Sequence, residues 1–193
     1  MVIDFDILTV VVGFTVYVGI CLLIGQKYKK ERVYYIFSTI MFCYFMCVAK
    51  ITLFPIMIYS GMPSNIQESI NYIPFLNGIG KTEIYDLFMA VPMGIGIPFV
   101  TKIRGIKGMA LVGLAMGSTI EAIQYMQTFL TGGFTLRVID INDVIFNFCG
   151  VIIGYFMLLT FSRIFMQYRK VQWSAIGNYI YGVCKSINKS GVR

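Results

Sequence analysis

The sequence predicts an all-α fold, a polytopic membrane helix bundle of about five transmembrane helices, with the N-terminus outside the cell and the C-terminus inside. Of the 193 residues, 58% are hydrophobic, and the mean hydropathy is +0.76. Only 13% are charged, about half the fraction in a typical soluble domain. Apolar runs of about 18 residues or more recur, each long enough to cross a bilayer. The alternative is a soluble protein with a very hydrophobic core, and these recurring runs argue against it.

Five apolar blocks account for the predicted helices. They lie at about 5–25, 33–58, 84–100, 108–129 and 143–161. The third block contains Pro92 and Pro98, which predict a kinked or broken helix that must pack against its neighbours. Glycines at GxxxG spacing in the fourth and fifth blocks, such as Gly150 and Gly154, predict close helix packing within the bundle rather than dimerisation.

The loop charges predict which end of each helix faces the cytoplasm. If the chain crosses the membrane five times, thirteen basic residues collect on one side. They are Lys27, Lys29, Lys30, Arg32, Lys102, Arg104, Lys107, Arg163, Arg169, Lys170, Lys185, Lys189 and Arg193. Because lysine and arginine concentrate in cytoplasmic loops, that side and the C-terminus are expected to be inside. The segment 171–184 is expected either to lie on the inner membrane surface or to be a disordered tail.

The composition also excludes several function classes. The basic residues lie between apolar blocks rather than on one polar face, so no nucleic-acid partner is expected. The chain has no histidine, which removes Ser-His and Cys-His nucleophiles and the commonest metal ligand. Four of the five cysteines lie inside apolar blocks, and all five are interpreted as small packing residues rather than as disulfides or metal ligands.

Polar residues in four blocks are predicted to reach one layer near the outer face. Lys50 is seventeen residues into the second block, which enters from inside, and a rise of about 1.5 Å per residue places it roughly 25 Å into a core about 30 Å thick. Glu121 is thirteen residues into the fourth block, and so roughly 20 Å up. Asp86 and Asp143 lie near the outer start of the third and fifth blocks.

Helical spacing then places polar residues of this layer on shared faces. Glu121 and Gln124 are three residues apart, and Asp143 and Asn147 are four apart. Residues at these spacings are neighbours on a helix surface. Each of the two helices is therefore expected to present one polar face.

Two ion pairs are predicted within the layer, because hydrocarbon does not solvate an isolated charge. We expect Lys50 to pair with Glu121, and Arg137 to pair with Asp140 or Asp143. The same residues have two interpretations: polar contacts that hold helices together, or an outward-open polar pocket. The acids outnumber the bases, so such a pocket suits a cation, a metal such as Mg²⁺ or Ca²⁺, or a substrate that carries amines. The sequence does not identify a cofactor.

Five short motifs occur along the middle of the chain. They are TLFP at 52–55, NYIPF at 71–75, DLFMAVPMG at 86–94, Glu121-x-x-Gln124, and Arg137-x-x-Asp140-x-x-Asp143-x-x-x-Asn147-x-x-Gly150. In this order they resemble motifs of the VanZ-like family of bacterial membrane proteins. The last motif is the most specific, and TLFP alone is weak. The chain departs from the family's pattern at Asp86, where the family usually has asparagine, and at Ala90, where it often has phenylalanine.

The resemblance covers about residues 49–155 and identifies them as a VanZ-like membrane domain. Residues 1–48 then hold the N-terminal transmembrane helix, the basic cytoplasmic loop and the start of the second helix. Residues 156–193 hold the end of the last helix and a basic cytoplasmic tail. The resemblance implies a multi-pass protein of the bacterial plasma membrane with a role in resistance to teicoplanin and related glycopeptides or lipoglycopeptides. It leaves the molecular activity open.

The polar layer and the family motifs together define a candidate site. As catalytic residues we predict Glu121, Asp140 and Asp143. As substrate-binding residues we predict Lys50, Asn71, Asp86, Gln124, Arg137 and Asn147. Of these, Asn71 comes from the resemblance alone.

Three functions remain open. The first is an intramembrane enzyme acting on an amphiphilic cell-envelope molecule, with Glu121 or Asp143 as acid or base, or with a metal held by carboxylates. The second is a non-catalytic binding or accessory protein for a lipid tail, a lipid-linked wall precursor or a glycopeptide antibiotic. The third is a small transporter or channel component, which ranks last because the inner halves of the spans are apolar. Membrane lipids are expected partners in each.

Overall fold

The computed structural model describes residues 2–28, 30–57, 70–76, 78–130, 139–167 and 174–190. Six helices and four two-residue strands make up this part of the chain. In chain order they are β1 (Val2–Ile3), α1 (Ile7–Lys27), α2 (Arg32–Leu53), β2 (Ile56–Met57), β3 (Ile70–Asn71), α3 (Lys81–Val100), α4 (Ile106–Leu130), β4 (Ile139–Asp140), α5 (Ile141–Gln167) and α6 (Ala175–Ser190). Helices α1 to α5 are long and apolar enough to cross a membrane. The chain is a multi-pass α-helical membrane protein, and the predicted bundle of about five transmembrane helices is confirmed. The predicted orientation of its termini stays a prediction.

The second helix is shorter than the apolar block that predicted it. The block runs to Ile58, whereas α2 ends at Leu53 and Phe54 is already extended (φ −113°, ψ 153°). Pro55 explains the difference, because proline has no N–H to continue a helix and disfavours helical geometry in the residue before it. The chain after it forms β2, which pairs antiparallel with β1.

The third helix is continuous across both of its prolines, so the expectation of a broken helix was wrong. Pro92 and Pro98 each leave one carbonyl of the preceding turn without its helical donor. Close packing stabilises the helix in spite of this loss. The hydroxyl of Tyr44, on α2, donates to the Met89 carbonyl of α3 at 2.9 Å, and Ala90 of α3 is fully buried.

Helix α5 lies between α3 and α4, and glycines make both contacts close. A Cβ atom on Gly150 would collide with the backbone carbonyl of Leu87 on α3. A Cβ atom on Gly117, the second glycine of the GxxxG pair of α4, would lie 2.8 Å from the Cα atom of Val144 on α5. Both GxxxG pairs are therefore used inside the bundle, as predicted.

Helix α1 is peripheral. It is described over its whole length, and none of its residues is buried. It meets α2 through Tyr17, whose ring stacks on that of Phe42 with centroids 4.5 Å apart and whose hydroxyl hydrogen-bonds the Thr39 hydroxyl at 2.8 Å.

Helix α6 packs against the end of the bundle where α3 ends and α4 begins. Its residues Val183, Cys184 and Ile187 are buried. Tyr179 donates to the carbonyl of Phe99, the residue before the last of α3. Of the two expectations for the tail, a disordered segment is wrong over residues 174–190, and residues 171–173 lie outside the described chain.

Candidate functional site

A polar cavity of about 460 Å³ opens at the other end of the bundle, which we call the cavity end. Parts of four helices meet there: the last turn of α2, the first turns of α3, the C-terminal half of α4, and the first turns of α5. The described residues that line it are Ile51, Thr52, Thr82, Glu83, Tyr85, Asp86, Ile120, Glu121, Gln124, Asp140, Asp143 and Asn147. Its volume lies in the range of small-molecule sites.

A short parallel ladder between β3 and β4 holds the start of α5 in place. It pairs Asn71 with Asp140. The amide of Asn71 donates to Asp140 Oδ2 at 2.9 Å, and the backbone N–H of Asn142 donates to Asp140 Oδ1 at 2.8 Å. Asp140 immediately precedes α5, so the second of these bonds is an N-terminal cap of that helix. The Asn142 side chain in turn accepts the backbone N–H of Phe75 at 3.0 Å.

Glu121 is held by one of its two carboxylate oxygens. Its Oε2 atom accepts the backbone N–H of Asp140 at 3.0 Å. Its Oε1 atom is buried and has no hydrogen-bond partner among the described residues. The side chain is only 8% exposed, so bulk solvent does not compensate for the missing donor.

Gln124 is one helical turn further along α4 and closes the end of α2. Its amide nitrogen donates to the Thr52 carbonyl at 2.9 Å, and that of Gln127 donates to the Leu53 carbonyl at 3.2 Å. These are two of the last carbonyls of α2, which have no donor within their own helix. Because the nitrogen of Gln124 must face a carbonyl, its oxygen faces away. That oxygen is buried and has no partner in the described chain.

Asn147 on α5 repeats the arrangement. Its amide nitrogen donates to the backbone carbonyl of Asp143 one turn earlier, at 2.8 Å. Its Oδ1 atom is buried without a partner among the described residues, and the side chain is only 1% exposed. The same argument fixes the amide, since the nitrogen is committed to a carbonyl.

Three residues that line the cavity, Glu121, Gln124 and Asn147, therefore each carry a buried acceptor oxygen that finds no donor in the described chain. A buried polar group left unpaired costs about 1–3 kcal/mol, and more if it is charged. No lysine or arginine is among the described residues that line the cavity. The arrangement suits a bound group that donates several hydrogen bonds.

The matching family model is VanZ/LLP1, and it covers residues 41–164. The chain belongs to the VanZ/LLP1 family. The predicted VanZ-like resemblance is confirmed, and every described residue that lines the cavity lies inside the matched stretch. A search of curated proteins and a search of solved structures each found no match.

The structure brings together six of the nine predicted site residues of this VanZ/LLP1 protein. They are Asp86, Glu121, Gln124, Asp140, Asp143 and Asn147. Asn71 does not line the cavity in the described chain, but it contacts Asp140 and so positions it. Arg137 lies outside the described residues, and so does its expected pairing with Asp140 or Asp143.

Lys50 lies outside the cavity, and its expected ion pair with Glu121 is wrong. Its ammonium group lies 5.9 Å from the ring centroid of Phe5, in a groove between α1 and α2 that Asp6 also lines. The depth argument ignored direction around the helix. Successive residues are rotated by about 100°, so Lys50 points well away from Thr52, two residues later, which does face the cavity.

Several functional features were not found from the sequence. Asn142, only 1% exposed, joins α5 to the loop before α3. Nothing in its spacing separates it from an ordinary polar residue at a helix start. The accepting Thr52 carbonyl is a backbone group, which no side-chain pattern shows.

Among the described residues, no three Asp, Glu, His or Cys side chains are grouped so that they could hold a metal ion.

Proposed function

We propose that this VanZ/LLP1 protein binds an amphiphilic molecule of the bacterial cell envelope, whose hydrogen-bond-donating head group occupies the polar cavity. One observation supports this most strongly: Glu121, Gln124 and Asn147 each keep a buried acceptor oxygen that has no partner within the described ranges. A head group with an ammonium or several hydroxyls supplies the donors that these oxygens lack. Binding would then offset the unfavourable free energy of burying these oxygens without donors.

The cavity lies at the ends of spanning helices, so its ligand must reach the membrane interface. The loop charges favour this end as the outer one, and we propose that the membrane is the plasma membrane of a bacterium. There the ligand would meet lipid-linked wall precursors and the antibiotics that act on them. We therefore propose that the protein contributes to resistance to glycopeptides or lipoglycopeptides such as teicoplanin, as the family resemblance suggests.

A second candidate function is processing of the bound molecule. The geometry of Glu121 favours it, because one oxygen accepts the Asp140 N–H while the other is buried without a partner in the described chain. A carboxyl group that is oriented in this way can take a proton from a ligand or give one to it. In this version Glu121 is the acid or base, and Gln124 and Asn147 bind.

The test is lipid analysis of the purified protein by mass spectrometry, with Glu121→Gln compared with the wild type. Glu31→Gln is the matched control, because Glu31 is an exposed acid just before α2, at the end opposite the cavity. A glutamine at 121 that still accepts the Asp140 N–H must turn its NH₂ group toward the cavity. That replaces an acceptor by a donor, so an amphiphile recovered with the wild type and Glu31→Gln should be lost with Glu121→Gln.

Resistance measured for the same variants separates the two candidates. If the protein only binds, conservative variants such as Glu121→Gln, Gln124→Met and Asn147→Leu should lower resistance in grades that follow ligand retention. If it processes its ligand, Glu121→Gln should abolish resistance while the amphiphile stays bound. Recovery of the same lipids from the wild type and from all three variants, with resistance unchanged, would contradict both.

A further inference from the structure

A second hollow, which we call the apolar groove, lies next to the polar cavity, toward the middle of helices α2, α3 and α4. Its volume is about 370 Å³. The described residues that line it come from α2, α3 and α4, and they are Phe45, Val48, Met93, Ile97, Val112, Ala115, Met116, Thr119 and Ile120. Thr119 carries the only hydroxyl among these nine side chains, so the groove offers almost nothing to a polar ligand.

The apolar groove and the polar cavity share a wall. Ile120 lines both, and the lining residues continue along α2 from Val48 in the groove to Ile51 in the cavity. The lining stretch of α4 from Val112 to Ile120 is about 12 Å long at about 1.5 Å per residue. A ligand in the cavity therefore has a continuous apolar path that leads from its head group toward the middle of the membrane.

The groove opens to the bilayer along the seam between α2 and α4. At the cavity end this seam is closed by the hydrogen bonds from Gln124 and Gln127 to the last carbonyls of α2. Farther down, Phe45, Ala115 and Thr119 are exposed, whereas Met93 and Met116 form a buried floor. Methionine is unbranched and flexible, so this floor can adjust to a mobile chain.

We propose that the apolar groove holds one hydrocarbon chain of a membrane lipid whose head group occupies the polar cavity. The lipid then enters sideways from the bilayer, through the α2–α4 seam. This inference rests on the proposed function, and it adds to it the path and the class of the ligand: a lipid with an amine in its head group and a chain that lies against α4.

The lining and the continuity with the polar cavity favour a hydrocarbon chain as the occupant. Among the described residues that line the groove, Thr119 alone carries a polar side-chain group, and Ile120 lines both hollows. A single hydrocarbon chain needs no polar partner, so it fits this lining and can continue from a head group in the cavity.

The experiment uses the full chain in nanodiscs of phosphatidylcholine that contain a trace of phosphatidylethanolamine with a photoactivatable diazirine in one acyl chain. The same diazirine chain on phosphatidylcholine is the head-group control, because its head group has no N–H or O–H donor. Cross-linked peptides are mapped by mass spectrometry. We expect the ethanolamine probe to label groove residues such as Val112 and Met116, above the level seen with the choline probe.

Two variants at one depth test the groove. Ala115→Phe places a ring in it, and Leu114→Phe places the same ring at a 47% exposed neighbour that does not line it. A ring added to a groove that already holds a hydrocarbon chain should weaken binding of that chain about as much as overpacking destabilises a protein core. Groove labelling should therefore fall about tenfold with Ala115→Phe. It should be unchanged with Leu114→Phe. Equal labelling in both variants, or no preference for groove residues in the wild type, would overturn the inference.

A probe with short chains separates this inference from the proposed function. Dihexanoyl phosphatidylethanolamine has the amine head group but chains too short to follow the groove. Its binding to the purified protein should survive Ala115→Phe and be lost with Glu121→Gln. If Glu121→Gln abolishes binding of the short probe while groove labelling never appears, the head-group site stands and the chain site is wrong. If Glu121→Gln, Gln124→Met and Asn147→Leu all leave binding of both probes unchanged, the proposed function itself is wrong.

Discussion

The two ends of the bundle differ in how their polar side chains are paired. At the α6 end, Arg104 donates to the Ser186 hydroxyl at 2.8 Å and to the carbonyls of Thr101 and Ile103. Tyr179 of α6 donates to the Phe99 carbonyl. At the cavity end, three buried oxygens accept nothing from the described chain. Paired polar groups stabilise a fold, whereas a cluster of unpaired ones in a hollow indicates a ligand.

The largest effect on stability is expected at the α6 end, from Arg104→Ala. The variant removes the donors of three hydrogen bonds that join the loop before α4 to itself and to α6. Bonds to a half-buried charged group contribute about 2 kcal/mol in such a setting. We expect a lower Tm in detergent and unchanged lipid retention at the cavity. Lys102→Ala, at an exposed basic residue of the same loop, should change neither. A loss of lipid retention in Arg104→Ala would break the separation of the two ends.

The next effect is at the cavity end and has the opposite sign. Asn147→Leu removes an oxygen that has no partner in the described chain, at nearly constant side-chain volume. It also removes the hydrogen bond from the Asn147 amide nitrogen to the Asp143 carbonyl, which lies within one helix. We expect the empty protein to gain about 1 kcal/mol of stability and to lose lipid retention. Tm and lipid content are measured on the same preparation.

Asn188→Leu is the control for that change. Asn188 on α6 donates to the Cys184 carbonyl in the same local pattern, at 3.2 Å, but it is partly exposed and water can reach it. Its replacement should give no gain in Tm. A gain of equal size at Asn188 would show that the effect comes from leucine in a helix and not from the cavity.

The smallest effect concerns pH and is confined to α6. Burial raises the pKa of the Cys184 thiol from an ordinary value of 9.0 to about 11. An undocked α6 would expose a thiol that ionises near pH 9, so docking is unaffected below pH 9 and weakens as pH rises from 9 to 11. Within that window the undocked fraction should rise by at most about tenfold per pH unit.

Hydrogen exchange of the α6 backbone measures this loss of docking, after correction for the intrinsic rate at each pH. Cys184→Ala should remove that part of the pH dependence. Equal pH dependence in wild type and Cys184→Ala would show that other groups at this end control the docking.

Much of the candidate site could be predicted because depth in a membrane follows from sequence position. The rise per residue is constant, so Asp86, Glu121 and Asp143 could be placed in one layer, and all three line the cavity. Direction around the helix was harder. Lys50 has the right depth and the wrong azimuth, because no periodicity distinguishes its lipid-side setting beside Phe5 from one that faces α4.

The role of each polar group was less predictable than its place. Asp140 was expected to be catalytic, and it lies at the cavity as the cap of α5 and, through its N–H, as the partner of Glu121. Gln124 was expected to bind substrate, and its nitrogen instead closes the end of α2 while its oxygen is buried without a partner in the described chain. The role of each polar atom depends on which donors and acceptors meet in space. Those partners come from segments about 20 to 70 residues apart, as the Asp140–Glu121 and Gln124–Thr52 hydrogen bonds show.

The sequence by itself determined that the chain crosses the membrane, how many helices do so, and which acids and amides share one layer. Hydrophobic length and helical rise are local quantities, so they can be read along a single chain. Only the tertiary structure decided that Lys50 faces α1 and that α6 packs on the bundle. It also decided that Glu121, Gln124 and Asn147 each keep an oxygen without a donor among the described residues. Hydrogen-bond satisfaction is a property of neighbours in space, and packing between helices sets those neighbours.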